Sequence, residues 1–237
     1  MQSNKNSKYL DLNFAFKELG DKRCVLLGAA PVKNLDFINN FLHESDFIIC
    51  VDGGLNLQNK LKFKVDLIVG DMDSKTSKLP KSNDIVFLNK EKDETDMMAA
   101  AKQGLSKGFD KFAILAGVGG RLDHTYANFC TLNFLAKNGA NAILADEYNR
   151  AFILLEGFKI LFDTFAKNTA KYVSIFPFGC KFCQVTGEGF KYRLDDAIKI
   201  FIHESRGISN EITDERARLS ADKGTALVFS SSDQAFY

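Results

Sequence analysis

Acidic residues that follow short apolar runs are the positions of this chain best suited to chemistry. Asp52 closes the stretch DFIICVDGG, and Asp71 and Asp73 close VDLIVGDMD. Asp96 ends the cluster Asp93-Glu94-Thr95-Asp96, and Asp123 follows the glycine-rich Gly117-Val118-Gly119-Gly120-Arg121-Leu122. If the apolar runs are strands of one parallel sheet, these carboxylates crowd a single rim, where such sheets bind ligands. Two carboxylates about 4 Å apart repel by about 1 kcal/mol in water and by about 4 kcal/mol at an effective dielectric of 20. A divalent cation relieves that repulsion, and Mg²⁺ prefers hard carboxylate oxygens shared with substrate phosphates. Asp71, Asp73 and Asp96 are therefore the candidate metal ligands, with Asp52 beside them. Any one Asp has a plainer use in a turn or helix cap, and Asp93 or Thr95 suits the cap of the next helix. The set on successive strand ends favours metal.

The second chemical feature is Gly117-Val118-Gly119-Gly120-Arg121-Leu122-Asp123-His124. A flexible turn leading into a helix turns backbone N–H groups and the positive helix end toward an anion. Arg121 adds a planar fork of donors for phosphate oxygens. His124 either bonds a phosphate or sugar or simply occupies the start of the helix. Neither a GxxxxGK[ST] loop nor a well-placed GxGxxG occurs, so the chain is no Walker-type nucleotidase and no ordinary dinucleotide dehydrogenase. Carboxylates for a metal, a glycine cradle and an arginine together suit phosphoryl or pyrophosphoryl transfer, which needs positioning and charge neutralisation.

The elements that must position these groups follow from hydrophobic periodicity. CVLLGAA, DFIICVDGG, VDLIVGDMD, DIVFLN, KFAILAGVGG and NAILADE read as buried strands. Between them, Leu35, Ile38, Phe41 and Leu42 fall on one helical face. Met97, Ala101 and Leu105 fall on another, and Leu122, Tyr126, Phe129 and Cys130 on a third. Alternating buried strands and amphipathic helices predict a mostly parallel α/β/α domain over residues 24–149. Beyond it, AFILLEGFKILF, KYVSIFPFG, CQVTGEGFKYRL, AIKIFIHES and TALVFSSS are strand-like and joined by turns. They predict a smaller antiparallel β-sandwich domain over residues 150–237. Residues 1–23 read as a polar N-terminal extension.

Composition excludes several classes. The 237 residues are 46% apolar and 26% charged, with a formal net charge of +1. This is a core-forming chain, neither a disordered one nor a polyanion binder, so no nucleic-acid partner is expected. No apolar run approaches a membrane span, and MQSNKNSKYLDLNF has no secretory apolar segment, so the expectation is a cytoplasmic protein. Cys24, Cys50 and Cys130 sit in apolar stretches as small buried hydrophobes. Cys180 and Cys183 form a CxxC, but with no second pair nearby a structural role is favoured over zinc or redox chemistry.

VDGG (51–54), GDMDS (70–74), DETD (93–96) and GGRLDHTYAN (119–128) stand in the order and spacing of thiamine pyrophosphokinases, and GISNE (207–211) resembles that family's thiamine motif. The resemblance runs from about residue 24 to the end of the sequence. It implies transfer of the pyrophosphoryl group of ATP to the hydroxyl of thiamine with Mg²⁺, giving thiamine diphosphate and AMP. It also implies a homodimer with sites between the α/β domain of one subunit and the β domain of the other. Carried onto this chain, Asp71, Asp73 and Asp96 match the metal and phosphate residues, with Asp52, Gly53 and Gly54 alongside. Gly120, Arg121, Asp123 and His124 match the ATP and pyrophosphate region, and Ser209 and Asn210 the contacts to the thiamine pyrimidine. The motif leaves the acceptor of the hydroxyl proton between Asp96 and Asp71. Many relatives carry a GLKW-like segment where this chain has Gly189-Phe190-Lys191-Tyr192, and the chain has no Trp. Tyr192 still offers an aromatic face to the thiazolium cation.

Two other functions compete. A related ATP-dependent pyrophosphokinase or kinase with another alcohol acceptor would differ around Tyr192 and Ser209–Glu211. A non-catalytic nucleotide or thiamine sensor would have no need of so many mutually repelling acids.

Overall fold

A computed structural model describes residues 8–12, 22–61, 63–70, 84–87, 93–162 and 170–234. The chain divides into two compact units, Phe14–Glu147 in one and Met1–Asn13 with Tyr148–Phe236 in the other.

In chain order the elements begin with β1 (Lys8–Tyr9), β2 (Cys24–Leu27), α1 (Leu35–Phe41) and β3 (Phe47–Val51). A 3₁₀ segment, Asp52–Lys60, leads to β4 (Leu67–Gly70), β5 (Asp84–Phe87), α2 (Asp96–Ser106), β6 (Lys111–Leu115), α3 (Leu122–Lys137) and β7 (Asn141–Ala145). The remaining strands are β8 (Asn149–Leu154), β9 (Phe158–Leu161), β10 (Tyr172–Pro177), β11 (Phe182–Glu188), β12 (Leu194–Phe201), β13 (Asn210–Glu211), β14 (Arg218–Lys223) and β15 (Ala226–Ser231).

In the Phe14–Glu147 unit every registered pair is parallel, in the order β7-β6-β2-β3-β4-β5. Parallel strands covered on both faces need continuous apolar runs. Accordingly Cys24–Leu27, Ile48–Val51, Leu67–Val69 and Phe112–Leu115 are all buried. Arg23, just before β2, is buried in a fork to Asp46 (Nε to Oδ1, 2.6 Å) and lies over the Phe41 ring. With the order beginning at β2 and running outward on both sides, strand direction places the ends of β2, β3, β4 and β6 on one edge.

One predicted helix face is corrected. Leu122 and Tyr126 of α3 are 82% and 63% exposed in the chain, whereas Asn128, Thr131, Leu132 and Leu135 are buried. The apolar spacing that starts at Leu122 follows the wrong stripe, because the first turn of α3 belongs to the rim and its packed face begins a turn later.

The other unit has two sheets. Strands β8, β15, β10 and β13 pair antiparallel in that order. The five-stranded sheet runs β1-β9-β14-β11-β12. Phe152 of one sheet and Phe190 beside the other both meet the buried ring of Phe162, at 6.4 and 5.7 Å between centroids. The strand-like run AFILLEGFKILF holds two strands, separated by the turn at Glu156-Gly157, where Gly157 has φ +82°. Lys8–Tyr9, expected within a loose extension, pair in parallel with Phe158–Lys159.

Candidate active site

The Phe14–Glu147 unit holds a cleft of about 410 Å³ along that strand edge. Its walls include Asp52 after β3, Thr95 and Asp96 at the start of α2, and Gly119, Gly120, Arg121 and His124 before and within the first turn of α3. Gly53, Gly54 and Asp123 stand next to wall residues rather than on the wall. The metal candidates Asp71 and Asp73 lie outside the described residues. Among the described residues no group of three or more His, Cys, Asp or Glu side chains gathers as a metal cluster.

Asp52 is closely constrained by its backbone. It follows β3 with φ +46°, a backbone region that residues with a Cβ seldom occupy. Its Oδ1 is buried and has no hydrogen-bond partner among the described residues. A buried carboxylate oxygen without a donor costs free energy unless a cation or ligand completes it. This oxygen, with the Asp96 carboxylate on the same wall, fits a hard divalent cation. The chain can hold Asp52 there because Gly70 passes close by. A Cβ on Gly70 would sit 3.0 Å from the Asp52 Cα.

Asp96 opens α2, and its neighbour Thr95 provides the cap, with Thr95 Oγ1 accepting the Met98 N–H at 3.2 Å. Of Asp93 and Thr95, the cap is therefore Thr95, which leaves Asp96 in the first turn and on the cleft wall.

The glycine turn between β6 and α3 passes through two positive-φ positions. Gly119 and Gly120 have φ +102° and +67°. Arg121, the N-cap residue of α3, supplies no side-chain acceptor to the helix end. Instead its guanidinium forms a fork with Asp123, at 3.1 and 2.6 Å, and Asp123 Oδ1 also accepts the His124 N–H at 2.9 Å. The Arg121 hydrogen bond is the main reason the Asp123 carboxyl is held below its ordinary range, and Asp123 in turn raises Arg121. Both side chains are exposed, so the pair sets the orientation of Arg121 more than it stabilises the fold.

Two groups of wall residues were missed in the sequence. Gly28, Ala29, Ala30 and Pro31, just after β2, line the cleft. The signal was present, since CVLLGAA ends on the same edge as the other strands, but it carries no chemical side chain. Asn128, inside the quoted GGRLDHTYAN, is buried and donates from Nδ2 to the Gly117 carbonyl at 2.7 Å.

Tyr192, Ser209 and Asn210 are brought together in the other unit. Asn210 is 6% exposed, and its amide bonds both backbone groups of Tyr192. Ser209 has φ +56° and its N–H donates to Ser174 Oγ at 2.9 Å. The Tyr192 ring is 63% exposed. Lys191 Nζ pairs with Glu211 Oε1 at 2.7 Å, closing the same clip.

Comparison with known proteins identifies a family. Residues 38–144 match the family model "Thiamin pyrophosphokinase, catalytic domain". Residues 163–226 match "Thiamin pyrophosphokinase, vitamin B1 binding domain". Thiamine pyrophosphokinase of Bacillus subtilis is 31% identical over 143 residues, covering 60% of this chain and 65% of that protein. Thiamin pyrophosphokinase 1 of Caenorhabditis elegans is 24% identical over 216 residues, covering 87% of each. The crystal structure of thiamine pyrophosphokinase from Bacillus subtilis superposes with a TM-score of 0.76 at 25% identity, over 90% of this chain and 100% of that one. The two family models cover the Asp52–Asn128 part of the cleft and the Tyr192–Asn210 clip, and the chain belongs to the thiamin pyrophosphokinase family.

Proposed function

We propose that the cleft of the Phe14–Glu147 unit is where this chain carries out ATP-dependent synthesis of thiamine diphosphate, the activity that its family membership assigns to it. The observation that carries the assignment is the shared wall of Asp52, Asp96, the Gly119-Gly120 turn and Arg121 in one cleft. The thiamine hydroxyl oxygen attacks the β-phosphorus of ATP. The bond from that phosphorus to the α,β-bridging oxygen breaks, AMP leaves with that oxygen, and the hydroxyl proton is released.

Arg121 binds phosphate oxygens with the guanidinium N–H groups that its fork to Asp123 leaves over, and the N–H groups at the start of α3 hold negative charge that shifts toward the departing AMP. Gly119 and Gly120 keep the backbone free of side chains where phosphate must approach. His124 lies on the same wall as a donor to phosphate or sugar. Asp52 and Asp96 would hold Mg²⁺, with Asp71 and Asp73 of GDMDS as the further carboxylates. The cation, when bound, supplies charge neutralisation along the polyphosphate. Asp96 or Asp71 accepts the hydroxyl proton in this reading. In the other unit, Ser209 and Asn210 belong to the thiamine pocket and Tyr192 offers its ring to the thiazolium.

The finer architecture belongs to the same reading: an α/β/α layering of the first unit and a β-sandwich for the second. So do a homodimer and a cytoplasmic location, both supported by the family resemblance. No helix among the described residues is long and apolar enough to cross a membrane.

The test is a mass-spectrometric product assay with ATP, Mg²⁺ and thiamine. Thiamine diphosphate with equimolar AMP is expected. Thiamine monophosphate with ADP would overturn attack at the β-phosphorus, and binding of both substrates without product would favour a sensor.

A further inference from the structure

We infer that Asn128 is a positioning residue for the phosphate-binding turn, tying back the Gly117 carbonyl so that the turn meets its ligand with N–H groups instead of carbonyl oxygens. The inference rests on the reading that the cleft holds the polyphosphate of ATP. Between β6 and α3 the chain must leave a strand, turn through positive-φ positions and start a helix. In doing so it brings backbone carbonyls to the rim. A carbonyl oxygen carries partial negative charge, and one left facing an anionic ligand opposes binding.

Consecutive residues of this turn have their carbonyls engaged. Leu115 C=O accepts the Gly28 N–H at 2.8 Å, and Ala116 C=O accepts the Ala30 N–H at 2.9 Å. Both donors are main chain, so they persist whatever side chains stand there. Gly117 C=O accepts from Asn128 Nδ2 at 2.7 Å, and this bond depends on the identity of one side chain. Asn128 is only 7% exposed, on the wall of the same cleft. The geometry is built for it. A Cβ on Gly117 would stand 3.2 Å from Asn128 Nδ2 and 2.8 Å from Ile114 Cγ2, so a side chain at 117 would crowd the amide. Ala116, immediately before, is held at φ +49°, a conformation that needs its surroundings to fix it. Without the amide, the Gly117 carbonyl is free to turn to the anion, and the turn loses the shape that Gly119 and Gly120 complete.

Asn128→Asp keeps the shape and replaces the donor by an acceptor. Asn128→Ser keeps a short donor. In steady-state kinetics with the full chain, Asn128→Asp is expected to raise KM for ATP and the inhibition constant of inorganic pyrophosphate by about tenfold or more, the worth of one lost hydrogen bond near a charge. KM for thiamine stays unchanged, and Asn128→Ser recovers part of the loss. Urea unfolding of each variant separates these effects from stability. A parallel rise in both KM values, or unchanged ATP and pyrophosphate constants in a folded variant, overturns the inference. So does failure of both variants to fold, which would make Asn128 a core residue and nothing more. If the wild-type chain binds neither ATP nor pyrophosphate, the reading of the cleft itself falls, a result distinct from any of these.

Discussion

The side-chain amide of Asn210 holds Tyr192 by its backbone, Oδ1 accepting the Tyr192 N–H at 2.9 Å and Nδ2 donating to the Tyr192 carbonyl at 2.8 Å. The two residues come from the separate motifs GFKY and GISNE, and the bridge Phe190–Ile212 together with Lys191 N–H to Glu211 C=O at 2.9 Å aligns the segments around them. Asn210→Ala leaves those backbone groups without a partner. It is expected to lower unfolding free energy by about 1–3 kcal/mol and also to raise KM for thiamine. Tyr192→Ala, which removes an exposed ring, should change stability by no more than about 0.5 kcal/mol and yet raise KM for thiamine. Urea melts and thiamine titrations of both variants check this, and an Asn210→Ala chain as stable as wild type would refute the clamp.

Asp52 combines a positive φ with a buried oxygen that has no partner among the described residues. Both features cost stability. Asn tolerates left-handed backbone better and carries no charge. Asp52→Asn is therefore expected to stabilise the ligand-free chain by about 0.5–2 kcal/mol while abolishing turnover. A thermal melt beside the product assay reads both. A variant that loses activity and stability together would show that Asp52 is structural.

The glycines of the rim differ in what they tolerate. A Cβ on Gly54 would lie 2.2 Å from the Leu27 carbonyl oxygen and 2.9 Å from that of Gly28, both main chain. Gly54→Ala must move a central strand end and should cost about 1–3 kcal/mol or more. At Gly119 a Cβ meets nothing within 4 Å, and only the φ of +102° opposes it. Gly119→Ala should leave the chain folded, at a strain of about 1–3 kcal/mol, with its main effect on KM for ATP. A Gly119→Ala chain that fails to fold, or that folds with an unchanged KM for ATP, would contradict this division.

Burial, its largest cause, pushes the thiols of Cys50 and Cys183 up to about 12 from 9.0, with the nearby Cys180 adding to the shift at Cys183. Cys24 is raised further by the same cause, helped by Asp46. At pH 8 a thiol of that kind is ionised in only about one molecule in 10⁴. Native-state alkylation at pH 8 should therefore label Cys130 and Cys180, both partly exposed, and spare the other three. The raised values also set the sign of the pH dependence. Unfolded thiols release protons first, so stability present below pH 9 falls as pH climbs from 9 toward 12. Rapid labelling of Cys50 at pH 8 would refute the burial argument.

The rim is legible in the sequence because a buried parallel strand must be apolar to its last residue, so the first Asp or Gly after FIICV or KFAIL marks its end. Asp52, Gly120, Arg121 and His124 follow such ends, and Asp96 opens the helix that comes after DIVFLN. The method fails where the wall is made of main chain, as at Gly28–Pro31, whose residues carry no polar side chain to notice. It fails again on α3, where Leu122 and Tyr126 mimic a core stripe and Asn128, a buried amide bound to a carbonyl, looks like an ordinary polar position. The Asn210–Tyr192 bond escapes for a third reason. It joins segments distant in sequence, and both motifs suggest ligand contact before they suggest contact with each other.

The short pairing of Lys8–Tyr9 with Phe158–Lys159 has a consequence for how the molecule can be made and divided. The catalytic unit is an insertion between the first strand of its neighbour and all the others. During synthesis β1 emerges early and waits, since its partner follows only after Phe14–Glu147 has left the ribosome and had time to fold. A fragment beginning at Tyr148 would leave β9 as an open edge, available to any passing strand. A fragment ending at Glu147 would carry β1 as an orphan tail. The natural cut for separating the two units is thus a circular rearrangement that rejoins residues 1–13 to the later strands.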